Sequence, residues 1–517
     1  MATSLQPLIV ICGATGVGKS KLGVELALGL ANQGHSRWRG ARIINADSMQ
    51  VYAGLDVATN KISPAEQMGI DHLLMDFKRP GEQYLVGHWV HDAVQAIKET
   101  HNRDEIPIVV GGTSYWIQHL LFPNRLASDG PPNPAGDQHS GLFRSPELER
   151  SISQLPPDLL GLFDHLPEHA PSAVSHPDDA LLLYKLLQAL DEPVAARWHW
   201  RDTRKVLRAL RIIKDQGRMP SEIINEQAST PLFPRYRTLC FWLHAEQSVL
   251  DRRLDERVDG MMKNGLLQEI RRIYENASCS VGIDGGRNNE HDGNETTADF
   301  TLGIFQSIGY KEFYDYISDP NASREDLTDA VEKTKHATRK YAKRQISWLR
   351  NKLLPALHSV AAECRSKSSM ATLYLLDTSG KWAITHKEHV SNVLSSVLGE
   401  SWVSNVCQPA QMIMSAFLNE EELPDPMMLS PLARAMLSNV NEALSPSAVL
   451  EARRMVVCPV CTKNPSQPVM VEAAEWEAHR RTRLHRRLAV KAKERVLGTP
   501  RENGVPECQL PSGPLPS

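Results

Sequence analysis

The eight residues from Gly13 to Ser20 read GATGVGKS, which has the spacing G-x-x-x-x-G-K-[ST]. Gly13, Gly16 and Gly18 let backbone N–H groups curl around phosphate oxygens, Lys19 adds a point charge and Ser20 a hydroxyl for Mg²⁺. The chemistry is capture of a diphosphate or triphosphate, and the motif does not name a nucleotide. Asp47 ends the run RIINAD beside Ser48, and Thr113 follows IPIVVGG. Asp47 is open to three readings, a metal-holding acid, a base at the carboxyl edge of a sheet, or a helix N-cap, and Thr113 can equally be a cap. Near the far end, Cys458 and Cys461 in CPVC precede seventeen residues, then His479, five more residues and His485. Two thiolates and two imidazoles so spaced can close a tetrahedron around Zn²⁺, with EAAEWEAHRRTRLH as the helix presenting both histidines.

Two basic stretches point to a polyanion. KTKHATRKYAKRQISWLRNK (333–352) holds eight Lys or Arg and no acid. At about 100° per residue, Lys333, Arg339, Lys340, Lys343, Arg344 and Arg350 share one arc of roughly 140°. Tyr341, Ala342, Ile346, Trp348 and Leu349 fall opposite. A merely solvated face is normally mixed in sign, and this one is not. TRKVLRALRII sets Arg204, Arg208 and Arg211 at i, i+4 and i+7 with Val206, Leu210 and Ile213 behind them. Arg480, Arg481, Arg483, Arg486, Arg487, Lys491, Lys493 and Arg495 crowd the histidine-bearing helix and its exit, fitting RNA phosphates or a nuclear-import signal.

The elements that must position these groups alternate. LIVIC, RIINAD and IPIVVGG read as buried parallel strands, each followed by a loop and a helical pattern, with TLCFWLHA (238–245) as a fourth strand and TLYLLD (372–377) as a fifth. That alternation means a parallel sheet covered on both faces. Helical patterns from Pro146 to Gly217 fill the gap as an α-helical insertion. The stretches 124–141 and 278–299, rich in Gly, Pro, Asn and Asp, read as mobile surface loops, and 380–450 as a weakly patterned linker.

Length and composition bound the reading. A chain of 517 residues has room for two to four domains, and 41% hydrophobic with 23% charged residues is ordinary for a globular protein. The net charge of -3 confines nucleic-acid binding to local faces. No apolar run approaches the roughly 18 residues of a membrane helix. Cys12, Cys240, Cys279, Cys364, Cys407 and Cys508 are scattered, against a disulfide framework. With no basic residue before Lys19, a cleaved presequence would remove the loop, so a cytosolic or nuclear enzyme is expected.

In order, GATGVGKS, NADSMQVY, IVVGGTSYW, RKVLRALRI, GRMPSE, DERVDGMMKNGLLQEI, QSIGYKEF and TRKYAKRQISWLRNK cover most of residues 8–355. Together they resemble the tRNA dimethylallyltransferase (tRNA isopentenyltransferase) family, in its eukaryotic form with a C-terminal zinc finger. The resemblance implies an α/β fold, a P-loop NTPase-like parallel sheet with an α-helical insertion and a small zinc finger. The ranges are a catalytic core at 1–122 and 232–380, a tRNA-contacting insertion at 142–231, a linker at 381–450, and the finger with its basic tail at 451–497. The implied donor is dimethylallyl diphosphate, held by Gly13, Ala14, Thr15, Gly16, Val17, Gly18, Lys19 and Ser20 with Mg²⁺, and by Arg339. No nucleotide is hydrolysed. The implied acceptor is the exocyclic N6 amine of the tRNA adenosine just 3′ of the anticodon, a base that must leave its stack to react. Carried over by motif, Asp47 is the general base and Thr113 contacts the reacting centre. The tRNA side falls on Asp47, Ser48, Met49, Gln50, Thr113, Arg204, Lys205, Val206, Leu207, Arg208, Lys311, Lys340, Lys343 and Arg344. Cys458, Cys461, His479 and His485 would hold a structural Zn²⁺. The chain departs from the family's H-P-N-D before the basic helix, having His199, Trp200, Arg201 and Asp202. A cytoplasmic monomer is expected, with nuclear and mitochondrial shares left open.

Two other classes compete. A P-loop small-molecule kinase explains residues 8–120 and leaves both basic helices idle. IPIVVGGTSYW, moreover, ends without the acid that such an enzyme uses on Mg²⁺. A zinc-finger RNA-binding protein on a decayed scaffold would make the intact loop an accident.

Overall fold

The computed structural model describes residues 5–80, 82–123, 125, 144–280, 303–363, 370–380, 401–438, 440 and 453–497. The stretches 126–141 and 281–299, read above as mobile loops, lie outside them. The chain opens with β1 (Pro7–Gly13), α1 (Lys19–Gln33), β2 (Gly40–Asn45), α2 (Pro64–Gln67), β3 (His72–Leu73), α3 (Val86–Asn102), β4 (Glu105–Gly111) and α4 (Ser114–Leu121). Then come α5 (Pro146–Ser153), α6 (Pro157–Asp164), α7 (Pro177–Leu190), α8 (Glu192–Ala195), α9 (Thr203–Gln216) and α10 (Pro220–Ser229). The sheet resumes with β5 (Arg237–His244), α11 (Gln247–Lys263), α12 (Leu266–Ser280), α13 (Tyr310–Ser318), α14 (Arg324–Trp348), α15 (Leu354–Glu363) and β6 (Ala371–Asp377). Last come α16 (Gln408–Leu418), α17 (Pro431–Leu437), β7 (Met455–Val457), β8 (Met470–Glu472), α18 (Trp476–Arg480) and α19 (Arg483–Leu497).

One unit, residues 1–136 and 230–443, carries a parallel sheet of order β3-β2-β4-β1-β5-β6. The side chains of β1 alternate between two apolar layers, Leu8, Val10 and Cys12 on one face and Ile9 and Ile11 on the other. Burial on both faces is why the strands read as continuous apolar runs. Only β3, two residues long, carries too little pattern to be read from sequence. The order places the carboxyl ends of β2, β4 and β1 side by side, with Asn45 opposite Val110 and Gly111 opposite Cys12.

The expected linker at 381–450 is corrected over 401–437. Trp402, Val406, Ala410, Ile413, Met414 and Phe417 are buried in the same layer as Leu22, Leu26 and Leu30 of α1. The Trp402 indole N–H donates to Glu25 Oε2 at 2.8 Å. This segment is part of the core of the unit that carries the sheet.

The second unit, residues 137–229 and 444–517, joins the insertion and the finger. Leu183, Leu186, Leu187, Val206, Leu210 and Ile213 make its core, and Met470 of β8 is buried among them. Met455 N–H donates to Ala196 O at 2.7 Å. Trp200, in the stretch that departs from H-P-N-D, is fully buried and donates its indole N–H to Pro468 O at 2.8 Å. The finger is therefore docked on the insertion rather than tethered free of it.

Candidate active site and metal centre

The phosphate loop sits between β1 and α1, and its backbone approaches β5 so closely that a Cβ on Gly13 would lie 2.5 Å from Leu243 O. Gly18 occupies the N-cap of α1 with φ 88, and no side chain caps the helix. The first-turn amides of α1 therefore have no competing side-chain acceptor, as an anion site requires. Lys19 Nζ donates to Ala14 O at 2.7 Å, and its other two protons remain for a ligand.

Asp47 follows β2 and Thr113 follows β4, so both flank the loop at the same sheet edge. Thr113 stands at the N-cap of α4, yet its hydroxyl makes no cap bond. Instead, Thr113 Oγ1 accepts from Ser48 N–H at 3.0 Å, which joins the two strand ends. One Asp47 oxygen, Oδ1, accepts from Met49 N–H at 3.0 Å, a turn bond and not the helix N-cap weighed above, since the next helix starts only at Pro64. Asn45 Oδ1 accepts from Asp47 N–H at 3.0 Å, and Asn45 Nδ2 donates to Leu74 O at 3.0 Å. Met49 N–H thus holds one carboxylate oxygen, while Asn45 fixes the Asp47 backbone.

Charge is concentrated here. Burial draws the Lys19 ammonium down to about 8 against the pull of Asp47, and the charge of Arg257 on α11 lowers it further. Arg257 is itself drawn down to about 10 by burial, with Asp47 opposing. Two cations thus share one carboxylate, an excess of positive charge suited to a polyanionic ligand. Arg257 was missed in the sequence, although it lies inside DERVDGMM as the only cation of that stretch.

The basic helix is only partly open. Arg339 forms an ion pair with Asp255, and Lys335 pairs with Asp259 at 2.8 Å. These pairs fasten α14 to α11, so Arg339, expected above on the diphosphate, is already held by a carboxylate. Lys340, Lys343, Arg344 and Lys311 are exposed. Gln50 Nε2 donates to Thr59 O at 3.1 Å, and Glu269 accepts from the N–H groups of Val57 and Ala58 at 3.0 and 2.8 Å, bracing the segment after Asp47.

On α9, Arg204, Lys205 and Arg208 project from a helix whose other side is core. Val206 at 0% and Leu207 at 3% exposure correct the expectation that they touch RNA. They are the apolar stripe that seats the helix, while Arg204, Lys205 and Arg208 are exposed.

In the finger, Cys458, Cys461, His479 and His485 place one donor atom each within 4.8 Å of one another. Cys458 Sγ and His485 Nδ1 are 3.4 Å apart, Cys461 Sγ and His479 Nε2 3.5 Å, and the two imidazole nitrogens 3.2 Å. Ordinary Zn–S and Zn–N bonds at tetrahedral angles imply S–N and N–N edges of about 3.3–3.6 Å, close to these separations, so the residues fit the metal. The expected single helix presenting both histidines is corrected: His479 lies on α18 and His485 on α19. The chain breaks at Arg481 and Thr482, with Thr482 Oγ1 accepting from His485 N–H at 3.3 Å, and the break turns the second imidazole toward the first.

The IPP transferase family model matches residues 50–352. A tRNA dimethylallyltransferase of Schizosaccharomyces pombe is 31% identical over 504 residues, 95% of this chain and 97% of the relative. The tRNA dimethylallyltransferase of Homo sapiens is 31% identical over 93% of this chain and 85% of its own. A solved eukaryotic dimethylallyltransferase, captured acting on tRNA, superposes with a TM-score of 0.65 at 26% identity, covering 95% of this chain and 98% of its own. With the phosphate loop, the strand-end acid and the finger in place over nearly the whole chain, the protein belongs to the IPP transferase family of tRNA dimethylallyltransferases.

Proposed function

We propose that this chain transfers the dimethylallyl group of dimethylallyl diphosphate to the exocyclic N6 amine of the adenosine 3′ of the anticodon in tRNA. The observation that carries the reading is the row of three strand ends, with the phosphate loop, Thr113 and Asp47 at one sheet edge beside the paired cations Lys19 and Arg257. The loop amides and the two cations take the diphosphate, and Thr113 lies between it and Asp47. The amine lone pair forms a bond to the allylic carbon as the carbon–oxygen bond to diphosphate breaks. The amine proton passes to Asp47, and the electron pair leaves on the diphosphate. Mg²⁺, when bound, would neutralise part of that leaving charge. Ser20 supplies one hydroxyl toward it, and phosphate oxygens and water would complete the shell, as this ion usually prefers. Lys340, Lys343 and Arg344 on α14 and Arg204, Lys205 and Arg208 on α9 are the cations we assign to tRNA phosphates. The P-loop kinase alternative is set aside by the family match. We place the enzyme in the cytoplasm.

Purified protein given donor and an anticodon stem-loop should release one diphosphate per RNA modified, with no added nucleotide. Diphosphate release that ignores the RNA, or requires ATP, would contradict the reading.

Donor affinity is expected to depend on pH. The protonated Lys19 binds diphosphate and the neutral form does not, so affinity weakens as pH rises through about 8, where the free enzyme loses that charge. Donor titrations at several pH values test this. A donor affinity flat to pH 10, near Arg257's value, would remove Lys19 from the cradle.

The finger we assign to structural Zn²⁺, whose binding energy in such modules, about 10–16 kcal/mol, is also folding energy. Because Met470 and the Pro468 carbonyl complete the insertion's core around Trp200, Cys458→Ser is expected to loosen more than the finger. The buried indole N–H would lose its partner, at a cost of about 1–3 kcal/mol. Hydrogen exchange across α7 and α9 should quicken in the variant, while β1 and β4 keep their protection. Unchanged protection of α9 would show that the finger unfolds alone.

A further inference from the structure

Gln345, on α14, is buried at 5% exposure and faces two parts of the site at once. Its Oε1 accepts from the backbone N–H of Thr15 at 2.9 Å, and its Nε2 donates to Gly112 O at 3.0 Å. The amide cannot be reversed, since one partner only donates and the other only accepts. Gly112 admits it by lacking a side chain, for a Cβ there would lie 2.3 Å from Nε2. One helical turn earlier, Tyr341 bonds to Gln345 and lies within the field of Asp47; burial and then that charge push its phenol up. A single side chain therefore ties the phosphate loop to the strand end that carries Thr113, 330 residues away in sequence on one side and 233 on the other.

We propose that Gln345 is a positioning residue for prenyl transfer, fixing the diphosphate cradle against Thr113 and Asp47 and so setting the line along which the amine meets the allylic carbon. The proposal rests on the transferase reading above. Thr15 N–H is committed to Gln345, which leaves the loop's later amides and the α1 N-terminus for the diphosphate. A misplacement of about 1 Å between reacting groups can cost on the order of 10²-fold in rate. The carboxamide is needed because it supplies an acceptor and a donor in one planar group.

Two variants separate positioning from mere stability. Gln345→Met keeps the length and loses the bonds to Thr15, Gly112 and Tyr341. At saturating donor and RNA its single-turnover rate should fall by about 10²-fold while RNA affinity holds and the protein stays folded. Gln345→Glu keeps the acceptor toward Thr15 but sets a carboxylate against the Gly112 carbonyl until it is protonated. Burial raises the pKa of such a carboxyl. The rate of Gln345→Glu relative to the parent should therefore climb as pH falls, by up to about tenfold per unit, whereas the Gln345→Met ratio stays flat. A Gln345→Met rate within about twofold of the parent, or a Gln345→Glu ratio independent of pH, would overturn the proposal. A parent that transfers no prenyl group would overturn the transferase reading, and this one with it.

Discussion

Asp47→Asn is expected to lower the single-turnover rate of prenyl transfer by about 10²- to 10⁴-fold, the usual worth of a positioned general base, while donor and tRNA still bind. An adenine amine is a weak nucleophile, and its attack on the allylic carbon develops positive charge on nitrogen that only proton removal relieves. Asp47 is the carboxylate whose field reaches Lys19, Arg257 and Tyr341 together. Thr113, at the end of β4, is too weakly basic to replace it. Asparagine keeps the size and the oxygen that accepts from Met49 N–H, so the segment after Asp47 should hold its shape. A variant that transfers at the parent rate but binds tRNA poorly would show that Asp47 only positions the base.

Lys19→Ala should abolish measurable transfer at ordinary donor concentrations and cut the saturated rate by about 10²–10³-fold, as loss of one preorganised donor to a developing anion does elsewhere. The variant also loses the bond from Nζ to Ala14 O, which holds the loop closed on itself. Arg257, freed of a neighbouring cation, keeps part of the diphosphate affinity. The split is therefore larger in rate than in binding, and tRNA affinity, carried by other cations, should survive. Equilibrium binding of donor and of stem-loop, set beside the transfer rate, checks each part. Unchanged transfer would remove the loop from the mechanism.

The parts of the fold legible in sequence are those whose signal is local. β1, β2, β4, β5 and β6 announce themselves as apolar runs because both faces are covered, and the phosphate loop by glycines at fixed offsets. The site's second half was less legible. Arg257 and Gln345 reach it from α11 and α14, helices separated from the loop by more than two hundred residues, and no local pattern marks a side chain that bonds so far away. The spacing of Trp402, Val406, Ala410, Ile413 and Phe417 does follow a helical face, so 401–437 held a readable signal hidden by weak patterning around it. Val206 and Leu207 were drawn into the RNA side by the motif that contains them, though the same amphipathic count that exposes Arg204 and Arg208 buries them. Trp200 looked like a lost proline. Its indole bond to Pro468 O makes it instead one of the contacts that seat the finger.

The most direct measurement is the mass of an anticodon stem-loop incubated with the purified protein, Mg²⁺ and dimethylallyl diphosphate, without any nucleotide, followed by nuclease digestion to locate the change. A gain of one prenyl unit, confined to the adenosine 3′ of the anticodon and absent when that base is guanosine, is the expected result. An RNA of unchanged mass with an active, folded protein, or a prenyl unit found on another base, would contradict it.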